Sequence, residues 1–92
     1  MKAVAEIQVV PIGTGTSVRN WVRRAQQIIH DSGVVVQEHS FGTNVEGELA
    51  TILDVIARIH ETLHAEGVVR LSTAIKLGTR TDKDPDLASK LR

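Results

Sequence analysis

Residues 60–64 of this 92-residue chain read His-Glu-Thr-Leu-His, a literal match to H-E-x-x-H. In that pattern two histidines one helical turn apart hold zinc, and the glutamate between them activates a water for hydrolysis. His60 and His64 fall about 40° from each other around a helix of about 3.6 residues per turn. The spacing suits zinc, but the surroundings do not. His60 lies among Ile56, Ile59 and Leu63 in a stripe that should pack on a sheet, and Glu61 projects to solvent. A zinc hydrolase also needs a third ligand and an open coordination position. No histidine follows His64, and Glu66 sits on the same helix in a poor direction. The residues predict a buried, hydrogen-bonded His60 beside a surface His64, with a zinc hydrolase as the last reading.

Other groups could also do chemistry. The turn Gly-Thr-Gly-Thr-Ser at 13–17 imitates a phosphate-binding loop, because its glycines expose backbone N–H groups before a helix N-terminus. It lacks the third glycine of G-x-G-x-x-G and the Gly-Lys-Ser/Thr ending of a P-loop, so an ordinary strand-to-helix turn is expected. Lys76, Arg80 and Lys83 are interspersed with Asp82, Asp84 and Asp86, which reads as a solvated mixed-charge surface. Glu6 falls in a segment that should be a central strand. A carboxylate there needs a partner, which could be Arg70 or Lys76 across the sheet or a cationic ligand. Glu46 in Thr-Asn-Val-Glu-Gly is either a second such carboxylate or, with Thr43, a capping box. Nucleophilic catalysis has weak support, since there is no cysteine and no Ser-His-Asp spacing stands out.

The elements that must position these groups follow from periodicity. Residues 3–10 alternate as a strand, with Ala3, Ala5, Ile7 and Val9 on one face and Val4, Glu6, Gln8 and Val10 on the other. Ser17 is placed to cap a helix whose stripe is Val18, Trp21, Val22, Ala25, Ile28 and Ile29, with Gly33 as its stop. Three valines at 34–36 open a second strand. Residues 41–47 are a loop or a short third strand. The next helix buries Leu49, Ile52, Leu53, Ile56, Ile59, His60 and Leu63 and stops at Gly67. Residues 68–77 alternate as a last strand. Asp84 and Pro85 suit a short helix or tail over 83–92.

The order β-α-β-β-α-β predicts one ferredoxin-like α+β domain over 1–92, a four-stranded antiparallel sheet with two helices on one face. The other face is then open. It carries Val4, Glu6, Gln8 and Val10 with Val68, Arg70, Ser72 and Lys76, a mixture suited to a ligand or an oligomer contact.

Composition narrows the function classes. Eleven basic and eleven acidic residues leave no charge surplus to attract nucleic acid or an anionic membrane. The absence of cysteine agrees with a reducing, cytoplasmic setting. The N-terminal apolar run is broken by Glu6 and Gln8, so neither a signal peptide nor a membrane span is expected. Trp21 and Phe41 are the aromatics, so a cation–π cage is not expected.

Three stretches, AEIQVVPIGTGTSV at 5–18, FGTNVEGE at 41–48 and HETLHAEGVVRLSTAIKLGTRTDK at 60–83, resemble the thiamine-binding YkoF-like family of small conserved proteins. The resemblance spans nearly the whole chain. It implies a ferredoxin-like fold, self-association as dimers or tetramers through the sheets, and binding of thiamine or a related pyrimidine without catalysis. No resident cofactor is implied. His60 and Glu61 match the family pattern, whereas His64 stands at a position often aromatic there. Thiamine offers an amine donor, ring-nitrogen acceptors and a fixed positive charge. The residues expected to bind such a ligand are Glu6, Thr43, Glu46, Arg70, Ser72 and Lys76. A protein-interaction or regulatory module using the same face is the alternative, and a small enzyme acting on a thiamine precursor is a third class.

Overall fold

The computed structural model describes residues 1–15 and 18–88. Its elements are β1 (Lys2–Ile12), α1 (Val18–Asp31), β2 (Val35–His39), β3 (Gly42–Glu48), α2 (Leu49–Ala65) and β4 (Arg70–Gly78). All strand pairs are antiparallel, in the order β2-β3-β1-β4. This is the expected α+β ferredoxin-like fold. The segment 42–48 is a strand rather than a loop, which removes the capping box: Thr43 and Glu46 are both in β3. α2 has no side-chain cap, and its first N–H, at Leu49, donates to the carbonyl of Met1 at 2.8 Å.

The alternation of β1 decides the two faces. Ala3, Ala5, Ile7 and Val9 are buried with Ala25, Ile28 and Ile29 of α1 and Ile52, Val55, Ile59 and Leu63 of α2. Two expected core positions differ. Leu53 is 53% exposed and Val55 is buried instead, because Leu53 lies about 100° round the helix from Ile52, at the flank of the stripe. Val18, at the first position of α1, is also exposed. The cap expected at Ser17 lies outside the described residues.

Both helices end on glycines with positive φ, Gly33 at 84° and Gly67 at 116°. At the end of α2 the N–H of Val68 donates to the Leu63 carbonyl at 3.0 Å and that of Gly67 to the His64 carbonyl at 3.2 Å. This is a Schellman stop, with the buried Val68 and Leu63 supplying its apolar contact. Val68 therefore belongs to the core and not to the open face, and β4 begins two residues later than expected.

The open face is also less open than expected. From Gly78 at the end of β4 the chain returns over β1, and the Leu87 N–H donates to Glu46 Oε1 on β3 at 2.9 Å. Val4 on that face is only 4% exposed, and Pro85 is buried. Residues 83–86 form no helix; residues 89–92 lie outside the described residues.

Outside the core, Arg24 of α1 grips the carboxylate of Glu66, beyond the end of α2, through three hydrogen bonds of 3.0–3.2 Å. The guanidinium hydrogen bonds hold the Glu66 carboxyl below its ordinary range. With the folded value the lower one, the stabilisation is complete above the ordinary glutamate range and is lost as pH falls through the depressed value. Glu66→Gln is expected to flatten the acid limb of a Tm-against-pH profile. Leu63→Ala is expected to cost about 2–5 kcal/mol in urea unfolding, and Gly67→Ala about 1 kcal/mol or more.

Candidate ligand site on the open sheet face

Because opposed residues of an antiparallel sheet share a face, the register places Gln37, Asn44, Glu6 and Lys76 in one row across all four strands. Neighbouring strands are about 4.8 Å apart, so the row extends roughly 15 Å. It floors a recess of about 400 Å³ whose apolar sides include Val4 and, from the returning tail, Leu87.

Hydrogen bonds orient the row from the β2 side. The N–H of Phe41 donates to His39 Nδ1 at 3.3 Å, so that nitrogen is an acceptor and the neutral ring carries its proton on Nε2. His39 Nε2 then donates to Asn44 Oδ1 at 3.2 Å and lies 3.3 Å from Glu6 Oε2. With its oxygen so used, Asn44 donates through Nδ2 to Gln37 Oε1 at 3.1 Å. The Gln37 amide is left with its N–H donors toward solvent, and among the described residues Lys76 makes no ion pair. The recess thus offers a carboxylate acceptor between donors on either side.

The expected site residues divide. Glu6 and Lys76 are cross-strand neighbours in the recess, yet they form no salt bridge; the group beside Glu6 is His39. Glu46 stands in the adjacent row opposite Val4 and is occupied in holding the tail. Ser72 and Arg70 share the open face but stand opposite Val10 and Ile12, about 13 and 20 Å along β1 from Glu6 at roughly 3.3 Å per residue. Arg70 is out of reach of Glu6. Thr43 points the other way: it is opposite Ile7, 3% exposed, and lines a separate recess of about 290 Å³ beneath α1.

Gln37, His39 and Asn44 were not anticipated. Their signal is the alternation of Val35, Gln37 and His39, and the two-residue spacing of Asn44 and Glu46, which becomes informative once 42–48 is known to be a strand.

The histidine pair has structural work. His60 Nε2 is 2.7 Å from Thr73 Oγ1 of β4, and His64 Nδ1 donates to the carbonyl of Val68 at 2.7 Å, bracing the helix stop. His60 is half-buried rather than fully buried. Among the described residues no group of three or more His, Cys, Asp or Glu side chains is placed to hold a metal. The phosphate-loop candidate is only partly described: Gly13 and Gly15 have positive φ, the buried Thr14 hydroxyl has no partner among the described residues, and Thr16 and Ser17 lie outside the described residues.

Comparison with known proteins gives the family. Residues 5–92 match the family described as thiamine-binding protein. The chain belongs to that family. It is 36% identical over 92 residues to the UPF0045 protein ECM15 of Eremothecium gossypii, covering 99% of this chain and 88% of that one. It is 35% identical over 94 residues to the UPF0045 protein YqgV of Bacillus subtilis, covering 97% and 90%. The crystal structure of protein MJ1052 from Methanocaldococcus jannaschii, at 32% identity, superposes with a TM-score of 0.89 over 98% of this chain and 92% of that one. This thiamine-binding family is named for a ligand rather than for a reaction. Among the described residues no helix is long and apolar enough to cross a membrane.

The His60–Thr73 contact carries a direct test. A double-mutant cycle of His60→Gln and Thr73→Val is expected to give a coupling of about 0.5–1.5 kcal/mol in urea unfolding. Added zinc is expected to leave the Tm unchanged.

Proposed function

We propose that this member of the thiamine-binding family binds thiamine or a related aminopyrimidine, without transforming it, in the recess on the open sheet face. The observation that carries the reading is the cross-strand row, in which Glu6 stands between Asn44 and Lys76, with Gln37 beyond Asn44. An aminopyrimidine presents the complementary edge, an amine donor beside a ring-nitrogen acceptor. The carboxylate of Glu6 accepts from the amine, and its neighbour Lys76 donates to the ring nitrogen. A thiazolium ring adds a fixed cation, which the same carboxylate attracts, while the ammonium of Lys76, which makes no ion pair among the described residues, suits a phosphate ester. Val4 and Leu87 give the ring an apolar wall. Among the described residues the recess is lined by no thiol or hydroxyl group.

Self-association belongs to the same reading. β4 is an edge strand, paired on one side only, and carries Ile75 at 45% and Leu77 at 38% exposure on its helix-side face, with Leu53 of α2 at 53%. An unprotected edge beside exposed apolar side chains favours a dimer or tetramer. A second copy could bring Arg70 or Ser72 of its own toward a recess they do not reach within one chain.

Isothermal titration with thiamine, its phosphates and hydroxymethylpyrimidine tests the ligand. Saturable heat is expected, and Glu6→Gln is expected to weaken binding by about tenfold or more, the effect of losing a charge-assisted hydrogen bond. No heat with any of the compounds would overturn the reading. Native mass spectrometry of the same sample is expected to show a dimer or tetramer; an oligomer that takes up no ligand would favour a protein-interaction module.

A further inference from the structure

His39 closes a turn and faces a carboxylate at the same time, and the proton it carries decides which of the two it serves. The β2–β3 hairpin is tight: His39 pairs with Gly42, and Ser40 and Phe41 make the turn between them. Among the described residues the Phe41 N–H meets no backbone carbonyl; it donates to His39 Nδ1 at 3.3 Å. The ring nitrogen takes the place that an asparagine or aspartate oxygen has when it accepts from the N–H two residues on. Such a bond needs Nδ1 to be bare. That holds for one neutral tautomer and not for the imidazolium, in which both ring nitrogens are donors.

The other nitrogen looks onto the open sheet face. Nε2 lies 3.2 Å from Asn44 Oδ1 and 3.3 Å from Glu6 Oε2, so its single hydrogen is shared between an amide of β3 and a carboxylate of β1. Beyond Glu6 the next charge in the row is Lys76 of β4, and on β3 the Glu46 carboxylate is occupied with the Leu87 N–H. On β2 itself Gln37 is neutral, and Glu38 points to the opposite face, where His30 of α1 is 2.8 Å from it. Among the described residues Glu6 is therefore the charged group within ion-pair distance of His39, and the His39 side chain is 32% exposed, open to protons from solvent.

We propose that His39 is a proton-operated latch between the β2–β3 turn and the Glu6 carboxylate. Protonation puts a hydrogen on Nδ1, where it faces the Phe41 N–H donor to donor, and the turn bond is lost. The same proton gives the ring a positive charge beside Glu6, and the shared contact becomes a charge-assisted bond. Histidine is the side chain whose ordinary charge change falls between about pH 5 and 8, so mild acid is enough to move the latch. The consequence for a ligand rests on the function proposed above: a cation at Glu6 meets a competing imidazolium in acid, whereas the neutral ring leaves the carboxylate its charge.

NMR of the full, ligand-free chain between about pH 5 and 8 tests the latch itself. As the His39 ring titrates, the Phe41 amide proton is expected to move upfield with the same midpoint, and the Glu6 carboxyl carbon to shift with it. His39→Asn keeps a side-chain acceptor for the Phe41 N–H but does not titrate, and is expected to hold both signals steady across the range. A Phe41 amide or a Glu6 carboxyl that ignores the His39 titration, or one that responds equally in His39→Asn, would overturn the proposal. Thiamine titrations at the two ends of the range read the consequence. The parent chain is expected to lose about two- to fivefold more affinity in acid than His39→Asn does, the scale of an exposed ion pair; the ligand's own titration is common to both. Equal losses in the two chains would overturn the competition at Glu6. No thiamine binding at either pH, with the Phe41 and Glu6 responses intact, would overturn the ligand reading and leave the latch standing.

Discussion

The pairing register of β1 is the constraint on which the rest of this structure depends. β1 is a central strand, bonded to β3 from Lys2 to Ile7 and to β4 from Val4 to Ile12. Side chains alternate with a period of two, so one register puts Ala3, Ala5, Ile7 and Val9 into the core and Val4, Glu6 and Gln8 on the other face. A slip of one residue would bury Glu6 among the helices and expose Ile7, a change with a large cost in both desolvated charge and lost apolar burial. The same register brings Asn44 and Lys76 to either side of Glu6. Core and candidate site are thus two consequences of one pairing.

The offset between the two pairings matters as much. β3 stops where β1 continues, so the sheet is four strands wide at one end and narrower at the other. At the wide end the returning tail, tied by Glu46 to the Leu87 N–H, walls the polar recess. At the narrow end a stretch of β1 edge and the buried Thr43 face the underside of α1. The two concavities lie on opposite faces of the sheet.

Short motifs in this chain owe their form to local structure. His64 follows from the Schellman stop: its Nδ1 hydrogen bond to Val68 braces the turn that Gly67 makes possible. His60 answers Thr73 on β4, joining α2 to the edge strand. The two imidazoles are one helical turn apart because the contacts they serve, a helix end and a neighbouring strand, are about one turn apart.

The sequence by itself determined the order of elements, both glycine helix stops, the apolar face of β1 and most of the α2 stripe, since each rests on a local period or a single backbone conformation. It also carried the family resemblance, and it singled out Glu6 and Lys76. What only the tertiary structure decided was which side chains meet. Thr43 and Glu46 are three residues apart and so point to opposite faces once their segment is a strand, a fact hidden while 41–47 could equally be a loop. Arg70 and Lys76 share a face of one strand, but only the β1–β4 register sets Lys76 beside Glu6 and leaves Arg70 at Ile12. Gln37 and His39 join the site through a hairpin whose register no local pattern specifies. Local periods follow from the geometry of one segment, whereas a site made of single residues from four strands depends on how those strands align, and that alignment is settled by burial of the whole core.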